Sequence, residues 1–250
     1  MALIETKELT KIYELGWKKR VVGLNRVNLQ IEEGEIFGIL GPNGSGKTTC
    51  LKLLLGVLFP TSGEALIMGK GPLDVEMKKN VGFLPENPYY YDYLTGPELL
   101  KFYGRLFDLA PETIRKRTGE LLELVGLNDA KRLALRHYSK GMLERIGLAA
   151  SLINDPKILV LDEPTTGLDP IGCKETRDLL LRLNQEGKTI LLSSHFLSEV
   201  ERVCSRIAIF HRGNLIELGT LKDLLVQYEA STLEDLFVKS IEKFDQQHPA

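Results

Sequence analysis

Residues 41–49 read Gly41-Pro42-Asn43-Gly44-Ser45-Gly46-Lys47-Thr48-Thr49 and lie between an apolar segment and a leucine-rich one. This stretch fits the pattern G-x-x-x-x-G-K-[ST]. Ahead of it, the segment Glu35–Leu40 predicts a buried strand. After it, leucines recur at the spacing of one buried helix face, namely Leu51, Leu54, Leu55 and Leu58. A strand, a glycine-rich turn and a helix are the context that this motif requires.

The motif indicates a binding site for a nucleoside triphosphate. Its glycines let the backbone fold closely around phosphate oxygens, and the helix N-terminus offers unpaired N–H groups and a partial positive charge. In this pattern Lys47 reaches the β- and γ-phosphates, and the Thr48 hydroxyl binds Mg²⁺. What the protein does with the nucleotide must follow from other residues.

The composition narrows the class of protein. The chain has 250 residues, a formal net charge of −2 and 43% hydrophobic residues, which predicts one domain with room for a subdomain. It lacks the basic excess of a general nucleic-acid binder, although the overall charge does not exclude a local basic patch. Cys50, Cys173 and Cys204 form no C-x-x-C pair, so we interpret them as core residues in a reducing cytosol. There is no membrane-spanning apolar run and no signal peptide, so a membrane role requires a partner chain.

The N-terminal half alternates between strands and turns. Residues 3–10 and 21–31 predict strands joined by the basic loop Gly16-Trp-Lys-Lys-Arg20, which is either a solvated tip or a contact to lipid headgroups. Further strands are predicted at 64–68 and 81–85. Helices then begin near Thr95, Ile114 and Ser139, so residues 86–155 predict a helical insertion.

The core resumes with the apolar strand Ile158–Leu161, whose composition is typical of a sheet covered on both faces. A helix capped by Asp169 and ending near Gly187 is followed by a strand at 189–192 and a hairpin at 207–218. Two amphipathic helices, at 221–228 and 233–241, form the tail.

Two adjacent acids end the strand Ile158–Leu161. Asp162 is placed to hold Mg²⁺ through its water shell. Glu163 follows on the opposite side of the extended backbone, where it could polarise a water molecule that attacks the γ-phosphate. The alternative is a pair of strand-end acids that face solvent.

The order of these motifs resembles that of the nucleotide-binding subunits of ATP-binding-cassette (ABC) transporters, over nearly the full length. The resembling positions are Tyr13 (the A-loop aromatic), Gly41–Thr48 (Walker A), Glu86 (Q-loop), Tyr138-Ser-Lys-Gly-Met142 (signature), Asp162-Glu163 (Walker B), Gly167-Leu-Asp169 (D-loop) and His195 (switch histidine). The implied fold class is α/β, a P-loop NTPase core with a mixed, mainly parallel sheet, N-terminal antiparallel strands and an inserted helical subdomain. The implied division is a core of residues 1–85 and 156–219, an insertion of residues 86–155 and a tail of residues 220–250.

The resemblance also implies a role for each site residue. Tyr13 stacks on adenine, residues 41–49 bind ATP, and Lys47, Glu163 and His195 are catalytic, His195 through a hydrogen bond to the γ-phosphate. Mg²⁺ is held by Thr48, Glu86 and Asp162. Ser139 and Gly141 contact the γ-phosphate bound by a second subunit, and Asp169 is grouped with the nucleotide-binding residues. Two chains would therefore enclose two ATP molecules head to tail.

Three positions depart from the family pattern. Glu86 replaces the usual glutamine, which either strengthens a metal contact, repels the catalytic carboxylate or leaves a plain loop residue. Lys140 and Met142 replace glycine and glutamine in the signature, and Lys140 either adds positive charge near phosphate or points to solvent. These departures and the segment Thr232–Phe237 resemble ATPases that pair with ABC-2-type permeases, which are mostly exporters.

Five residues, Tyr89-Tyr-Tyr-Asp-Tyr93, follow the Q-loop. In the family this region faces the groove that receives the permease, and tyrosines suit such a contact. The alternative is that their rings pack under their own helices.

The sequence therefore predicts an ATP hydrolase that powers a membrane exporter by ATP-dependent closure of a dimer. Its expected partners are an ABC-2-like integral membrane permease and a second copy of itself or a paralogous ATPase, with no nucleic acid. Its expected location is cytoplasmic, peripheral on the inner face of the cell membrane through the permease. The alternatives are a soluble ABC ATPase that acts on ribosomes or DNA, and a regulatory subunit of low turnover.

Overall fold

The computed structural model describes residues 2–16 and 19–248, which form an antiparallel sheet, a mainly parallel sheet and helices around them. The antiparallel sheet has the order β2-β1-β4. Its strands are β1 (Ile4–Leu15), β2 (Lys19–Ile31) and β4 (Ser62–Ile67). Part of the predicted basic tip, Trp17 and Lys18, lies outside the described residues.

Strand β1 is longer than the sequence predicts. The prediction ends at Thr10, whereas pairing with β2 continues to Leu15. Register shifts follow Thr6 and Leu9, and Glu8 has a positive φ of 49°. Such bulges interrupt the two-residue alternation that marks a strand in sequence. The prediction therefore stops at the irregularity, although the pairing continues.

The larger sheet has the order β5-β6-β7-β3-β8-β9 and carries the nucleotide motifs. Its first five strands are parallel, and β9 is antiparallel to β8. The bounds are β3 (Ile36–Leu40), β5 (Val81–Leu84), β6 (Ile158–Asp162), β7 (Thr189–Ser194), β8 (Arg206–His211) and β9 (Asn214–Thr220). The predicted α/β class with a mixed, mainly parallel sheet is confirmed.

Both faces of this sheet are buried, as the apolar strand at 158–161 predicts. Alternate residues enter two separate cores: Leu159 and Leu161 pack with the helical insertion, whereas Ile158 and Val160 pack towards the antiparallel sheet. This alternation follows from the pleat of the strand, which turns successive side chains to opposite faces. The carboxyl ends of the strands are thereby fixed from both sides.

The helix after the glycine-rich loop is shorter than predicted. It is α1 (Lys47–Leu54), which buries Leu51 and Leu54. Leu55 is its C-cap and Leu58 lies beyond it, so the prediction of one helical face through Leu58 is wrong. Gly56 ends the helix with a left-handed φ of 68°, a conformation that glycine adopts without steric cost.

The insertion contains the three predicted helices and one further short turn. Thr95 starts the first with a capping box, in which its hydroxyl and the Glu98 carboxylate bond each other's backbone N–H groups. Ser139 caps the third. The bounds are α3 (Gly96–Leu106), α4 (Pro111–Leu124), a 3₁₀ turn (Leu135–His137) and α5 (Lys140–Ser151).

The remaining helices flank the core. Asp169 caps α6 (Pro170–Gln185) as predicted. The tail consists of α8 (Leu221–Gln227) and α9 (Leu233–Gln247), which continues beyond its predicted end at residue 241. Two short helices are not predicted from the sequence, α2 (Val75–Lys78) and α7 (Leu197–Val203). Every helix within residues 2–16 and 19–248 is too short or too polar to cross a membrane.

The packing of the central strands predicts a large cost for truncating one of them. Leu191 is fully buried in β7, so Leu191→Ala should lower the free energy of unfolding by about 2–5 kcal/mol. Chemical denaturation followed by circular dichroism measures this change. The control, Leu106→Ala at the 63% exposed end of α3, should stay within about 0.5 kcal/mol of the unmodified chain. Equal effects of both substitutions would contradict the buried position of β7.

Candidate functional site

The glycine-rich loop connects β3 to α1 and requires glycine at two points of close approach. A Cβ at Gly46 would lie 2.5 Å from the carbonyl oxygen of Gly23, and one at Gly41 would overlap the carbonyl oxygen of Phe210. Gly46 also has a left-handed φ of 113° at the N-cap of α1. The backbone N–H groups at the start of α1 are therefore held where a phosphate could approach them.

Lys47 is buried within this loop, with its side chain 7% exposed. Its Nζ donates to the carbonyl of Gly41 at 2.8 Å and to that of Pro42 at 3.4 Å. The same atom lies 3.7 Å from Glu163 Oε1. The structure therefore places the predicted lysine against the predicted catalytic carboxylate.

Asp162 ends β6 directly opposite the start of α1. Its Oδ1 accepts hydrogen bonds from Thr48 Oγ1 at 3.3 Å and from Ser193 Oγ at 2.5 Å. Ser193 is not among the site residues that the sequence predicts. The feature that indicates its role is the parallel pairing of β6 with β7, in which Asp162 and Ser193 are register partners.

Glu163 corrects one sequence prediction. Its φ is 55°, so the backbone turns at this residue instead of continuing extended. The turn is held by the Glu163 N–H, which donates to the carbonyl and the hydroxyl of Ser193 at 3.2 and 3.1 Å. Asp162 and Glu163 are 3% and 5% exposed. The alternative that both acids face solvent is therefore wrong.

His195 binds the same carboxylate. Its Nδ1 lies 2.7 Å from Glu163 Oε2, and its backbone N–H donates to that oxygen at 3.3 Å. Thr166 Oγ1 donates to it at 3.4 Å. Glu163 is thus enclosed by a lysine, a histidine and a hydroxyl, and its position is fixed from three directions.

Tyr13 reaches the other end of the loop from β1. Its hydroxyl lies 3.1 Å from Thr49 Oγ1, and the ring is half-buried. Lys11 Nζ lies 5.5 Å from the ring centre. Thr49 is the last of the predicted nucleotide-binding residues 41–49, so Tyr13 contacts the end of that stretch. Within the stretch, Asn43 and Gly44 are exposed.

Three further predicted residues, Ser139, Gly141 and Asp169, lie together in a separate cleft of about 470 Å³. Ser139 caps α5 by accepting from the N–H of Met142 at 3.3 Å, and Asp169 caps α6 by accepting from the N–H of Gly172 at 2.7 Å. Within the part of the chain that the structure describes, no hydrogen bond or ion pair joins this cleft to residues 41–49.

Lys140 lies across the D-loop beside the same cleft. A Cβ at Gly167 would overlap the ammonium group of Lys140, so the lysine side chain uses the space that this glycine leaves. The side chain is exposed but contacts the D-loop instead of extending freely into solvent. Burial raises the pKa of Glu144, one turn further along α5, to about 7, and the charge of Lys140 partly opposes this rise.

Glu86 is exposed in the loop that follows β5, the neighbour of β6. It makes no hydrogen bond or ion pair within residues 2–16 and 19–248, and its predicted metal contact stays a prediction. The tyrosines that follow divide between the two predicted alternatives. Tyr90 is half-buried with its hydroxyl over Gly147 of α5, whereas Tyr89 is 97% exposed.

Two of the three cysteines are core residues as the sequence predicts. Cys50 and Cys204 are buried, whereas Cys173 is only half-buried, and all three are free thiols. Burial raises the pKa of the Cys50 thiol to about 12, which keeps it protonated and unreactive. In the described ranges, no three or more His, Cys, Asp or Glu side chains are grouped so that they could hold a metal ion.

Gly46 of the loop and a glycine outside it provide a matched test of the loop's geometry. Gly46→Ala inserts a methyl group 2.5 Å from the Gly23 carbonyl, and should weaken nucleotide binding at least tenfold, or about 1.4 kcal/mol. Gly34, in the turn between β2 and β3, also has a positive φ, of 79°, but none of the described residues places an atom within 4 Å of the point that a Cβ would occupy there. Gly34→Ala should therefore show only the strain of a left-handed residue, about 1–2 kcal/mol in stability. Titration with a fluorescent ATP analogue and thermal unfolding measure both variants, and equal loss of affinity would contradict the close approach at Gly46.

Comparisons with known proteins agree with this arrangement. The family model for ABC transporters matches residues 24–166. An ABC transporter ATP-binding protein of Nostoc sp. (strain PCC 7120) is 48% identical over 228 residues, which cover 90% of this chain and 68% of that protein. A bacitracin transport ATP-binding protein of Enterococcus faecalis is 39% identical over 89% of this chain and 70% of its own length. The chain thus spans about two thirds of the length of these relatives.

A solved ATP-binding cassette, a dimer in a post-hydrolysis state with ADP and phosphate, has a TM-score of 0.79 and 30% identity to this chain. The match covers 87% of this chain and 98% of that structure. The matches to the family model and to the relatives extend over most of the fold. They include β3, which leads into the P-loop, and β6, which leads into the two buried acids. The chain therefore belongs to the ABC transporter family and is one of its ATP-binding, ATP-hydrolysing cassettes.

Proposed function

We propose that this cassette hydrolyses Mg²⁺-bound ATP between two subunits and thereby drives export through a separate ABC-2-like membrane permease. The observation that carries the hydrolytic step is the position of Glu163. This carboxylate is buried, lies 3.7 Å from Lys47 Nζ and 2.7 Å from His195 Nδ1, and directly follows the strand β6. A base held this firmly can act on a water molecule without reorganising first.

The residues at the start of α1 fit a magnesium ion. Thr48 Oγ1 and Asp162 Oδ1 lie 3.3 Å apart, and both are hard oxygen ligands of the kind that Mg²⁺ takes together with phosphate and water. Ser193 Oγ donates to the same Asp162 oxygen at 2.5 Å and so helps to fix the carboxylate. When bound, the ion would neutralise charge that develops on the phosphate oxygens. Glu86 is the third ligand in this proposal.

The remaining side chains have distinct roles in the proposed reaction. Lys47 carries the positive charge that binds the β- and γ-phosphates. Tyr13 supports adenine from β1. Glu163 accepts the proton of the attacking water, and His195 orients Glu163 and hydrogen-bonds the γ-phosphate. The pair resembles other base–orienter pairs, in which the second group fixes the position of the first.

The separate cleft at Ser139 supports a head-to-tail dimer. Ser139 lies at the start of α5, and its cleft shares no hydrogen bond with the P-loop among the described residues of this chain. A helix N-terminus with small residues around it favours an anion. We propose that Ser139, Gly141 and Asp169 complete the nucleotide site of a second copy or of a paralogous subunit. The dimeric cassette with ADP and phosphate supports this arrangement by similarity.

A transport function is supported by the names of the relatives, and docking of a permease is supported by the surface around Tyr89. The Enterococcus protein is named for bacitracin transport. In this chain a cleft of about 280 Å³ lies between β5 and α5 and is bordered by Pro88, Tyr89 and Phe107. We propose that it receives the permease, which would hold the cassette at the cytoplasmic face of the membrane. The names of the relatives favour transport over action on ribosomes or DNA.

A single substitution tests the hydrolytic role. Glu163→Gln keeps the shape of the side chain but removes the base, so it should lower kcat for ATP by about 10²–10⁴-fold. Nucleotide binding should persist, because the P-loop is unchanged. Phosphate release and equilibrium binding of an ATP analogue measure the two quantities separately.

The matched control is Glu186→Gln, which changes an exposed carboxylate paired with Arg182 at the end of α6. It should leave turnover unchanged. Full turnover by Glu163→Gln would contradict the assignment of Glu163. A very low rate in the unmodified chain would favour the alternative of a regulatory subunit.

The permease contact predicts a second result. Tyr89 has 97% of its surface exposed at the rim of the cleft, so Tyr89→Ala should reduce co-purification of the permease without changing ATP turnover in the isolated cassette. Val226→Ala, at a 73% exposed apolar residue on the tail helix α8, is the control. Equal recovery of the permease with both variants would contradict docking at this cleft.

A further inference from the structure

The turn between β8 and β9 is hydrogen-bonded to the P-loop. The Gly213 N–H in this turn donates to the Ser45 carbonyl at 2.9 Å. The Gly213 carbonyl accepts from the Asn25 N–H at 2.8 Å, and Asn25 Nδ2 donates to Asn214 Oδ1 at 2.9 Å. The turn is therefore bound both to the nucleotide loop and to β2.

The bond to Ser45 fixes a group that faces nucleotide. The peptide unit between Ser45 and Gly46 is planar and trans, so its carbonyl and its N–H point in opposite directions. A turn that holds the Ser45 carbonyl therefore also sets the direction of the Gly46 N–H. In a P-loop this N–H belongs to the set that surrounds the phosphates. Displacing Gly213 would turn that donor away from its ligand.

The end of α9 binds the two residues that precede Gly213. Asp245 Oδ1 lies 3.0 Å from His211 Nε2 and 3.3 Å from the guanidinium of Arg212. The Phe244 ring meets the His211 ring edge to face, with centres 5.6 Å apart. The His211 side chain is only 13% exposed in this contact. One carboxylate of the tail thus holds both side chains that lead into the turn.

The beginning of α9 is bound to α7. The Leu233 N–H donates to the Glu201 carboxylate at 3.1 Å. Glu201 belongs to α7, the helix that begins directly after His195 and Phe196. The helix α9 therefore contacts both α7, which follows His195 in the chain, and the turn that is bonded to the P-loop.

From this geometry we infer that α9 braces the nucleotide site and that Asp245 is a positioning residue for the P-loop. Among the described residues, Asp245 makes no hydrogen bond or ion pair with the reacting groups or with the P-loop. It acts through His211 and Arg212, which hold Gly213 against the Ser45 carbonyl. The inference rests on the proposed function, because it assigns Asp245 an effect on ATP binding at that site.

The test compares two aspartates of the same helix in the full chain. Asp245→Asn keeps the shape and removes the charge that holds the turn. It should raise both KM for ATP and the Kd of an ATP analogue about three- to tenfold, with kcat within about twofold. Hydrogen exchange at the Gly213 amide should accelerate, because its bond to Ser45 weakens.

Asp235→Asn is the control. Asp235 has the same 38% side-chain exposure as Asp245 and binds Lys239 of its own helix, far along α9 from the turn. It should leave KM, Kd and Gly213 exchange unchanged. A role of α9 in stability alone would lower the unfolding temperature for both variants and leave KM and Kd unaltered, which would overturn the inference.

Arg212→Gln tests the same ion pair by changing its other residue. This variant replaces Asp245→Asn in the test if Asp245→Asn does not fold. It should also raise KM, and the double variant should show less than the sum of the two effects because the residues are in direct contact. Unchanged KM in both single variants would overturn the role of Asp245 while ATP hydrolysis by the unmodified chain stands. Absence of ATP binding and turnover in the unmodified chain would instead refute the proposed function.

Discussion

The buried positive charge of Lys47 sets the conditions that the rest of the site must meet. Burial of an ammonium group costs several kcal/mol of hydration unless nearby acceptors compensate it. Here the compensation comes from the Gly41 carbonyl at 2.8 Å and the Glu163 carboxylate at 3.7 Å. Both acceptors follow the carboxyl ends of strands in one parallel sheet. The edge of the sheet therefore supplies the oxygen atoms that allow a lysine to be buried and still face a phosphate.

The parallel register decides which other side chains reach this charge. Asp162 is in register with Ser193, and Leu40 with Ser194, so β6, β7 and β3 end at the same level. This is why the sequence could predict so much of the site. A P-loop between a strand and a helix, and two acids at the end of an apolar strand, are local patterns whose meeting follows from the sheet. The same reason makes other features predictable, because each depends on residues that are close in sequence. They are the N-caps at Thr95 and Asp169 and the strand and helix patterns that give the α/β class.

The features that the sequence did not reveal depend on distant partners. The turn at Glu163 is held by Ser193, thirty residues further along the chain. β1 continues past its predicted end because β2 pairs with it across bulges that hide the alternation. The helix α1 stops at Gly56 although leucines continue, since a left-handed glycine outweighs apolar spacing. The support of Ser45 by Gly213, and of that turn by Asp245, joins segments that are far apart in sequence and share no motif.

The same electrostatic requirement extends to the helix ends. α6 carries the acidic N-cap Asp169, but two other helices begin at the site motifs, α1 at Lys47 and α5 after Ser139, and neither of them has an acidic residue at its N-cap or in its first turn. The longer helices that begin elsewhere do, for example α3 with Glu98 and α9 with Glu234 and Asp235. An acid in the first turn stabilises a helix by opposing its dipole, so its omission leaves the positive end available to another anion. At α1 the proposed anion is a phosphate of the nucleotide. At α5 no phosphate site of the same chain is within hydrogen-bonding reach among the described residues, and this is the electrostatic reason to expect that the anion arrives on a second subunit.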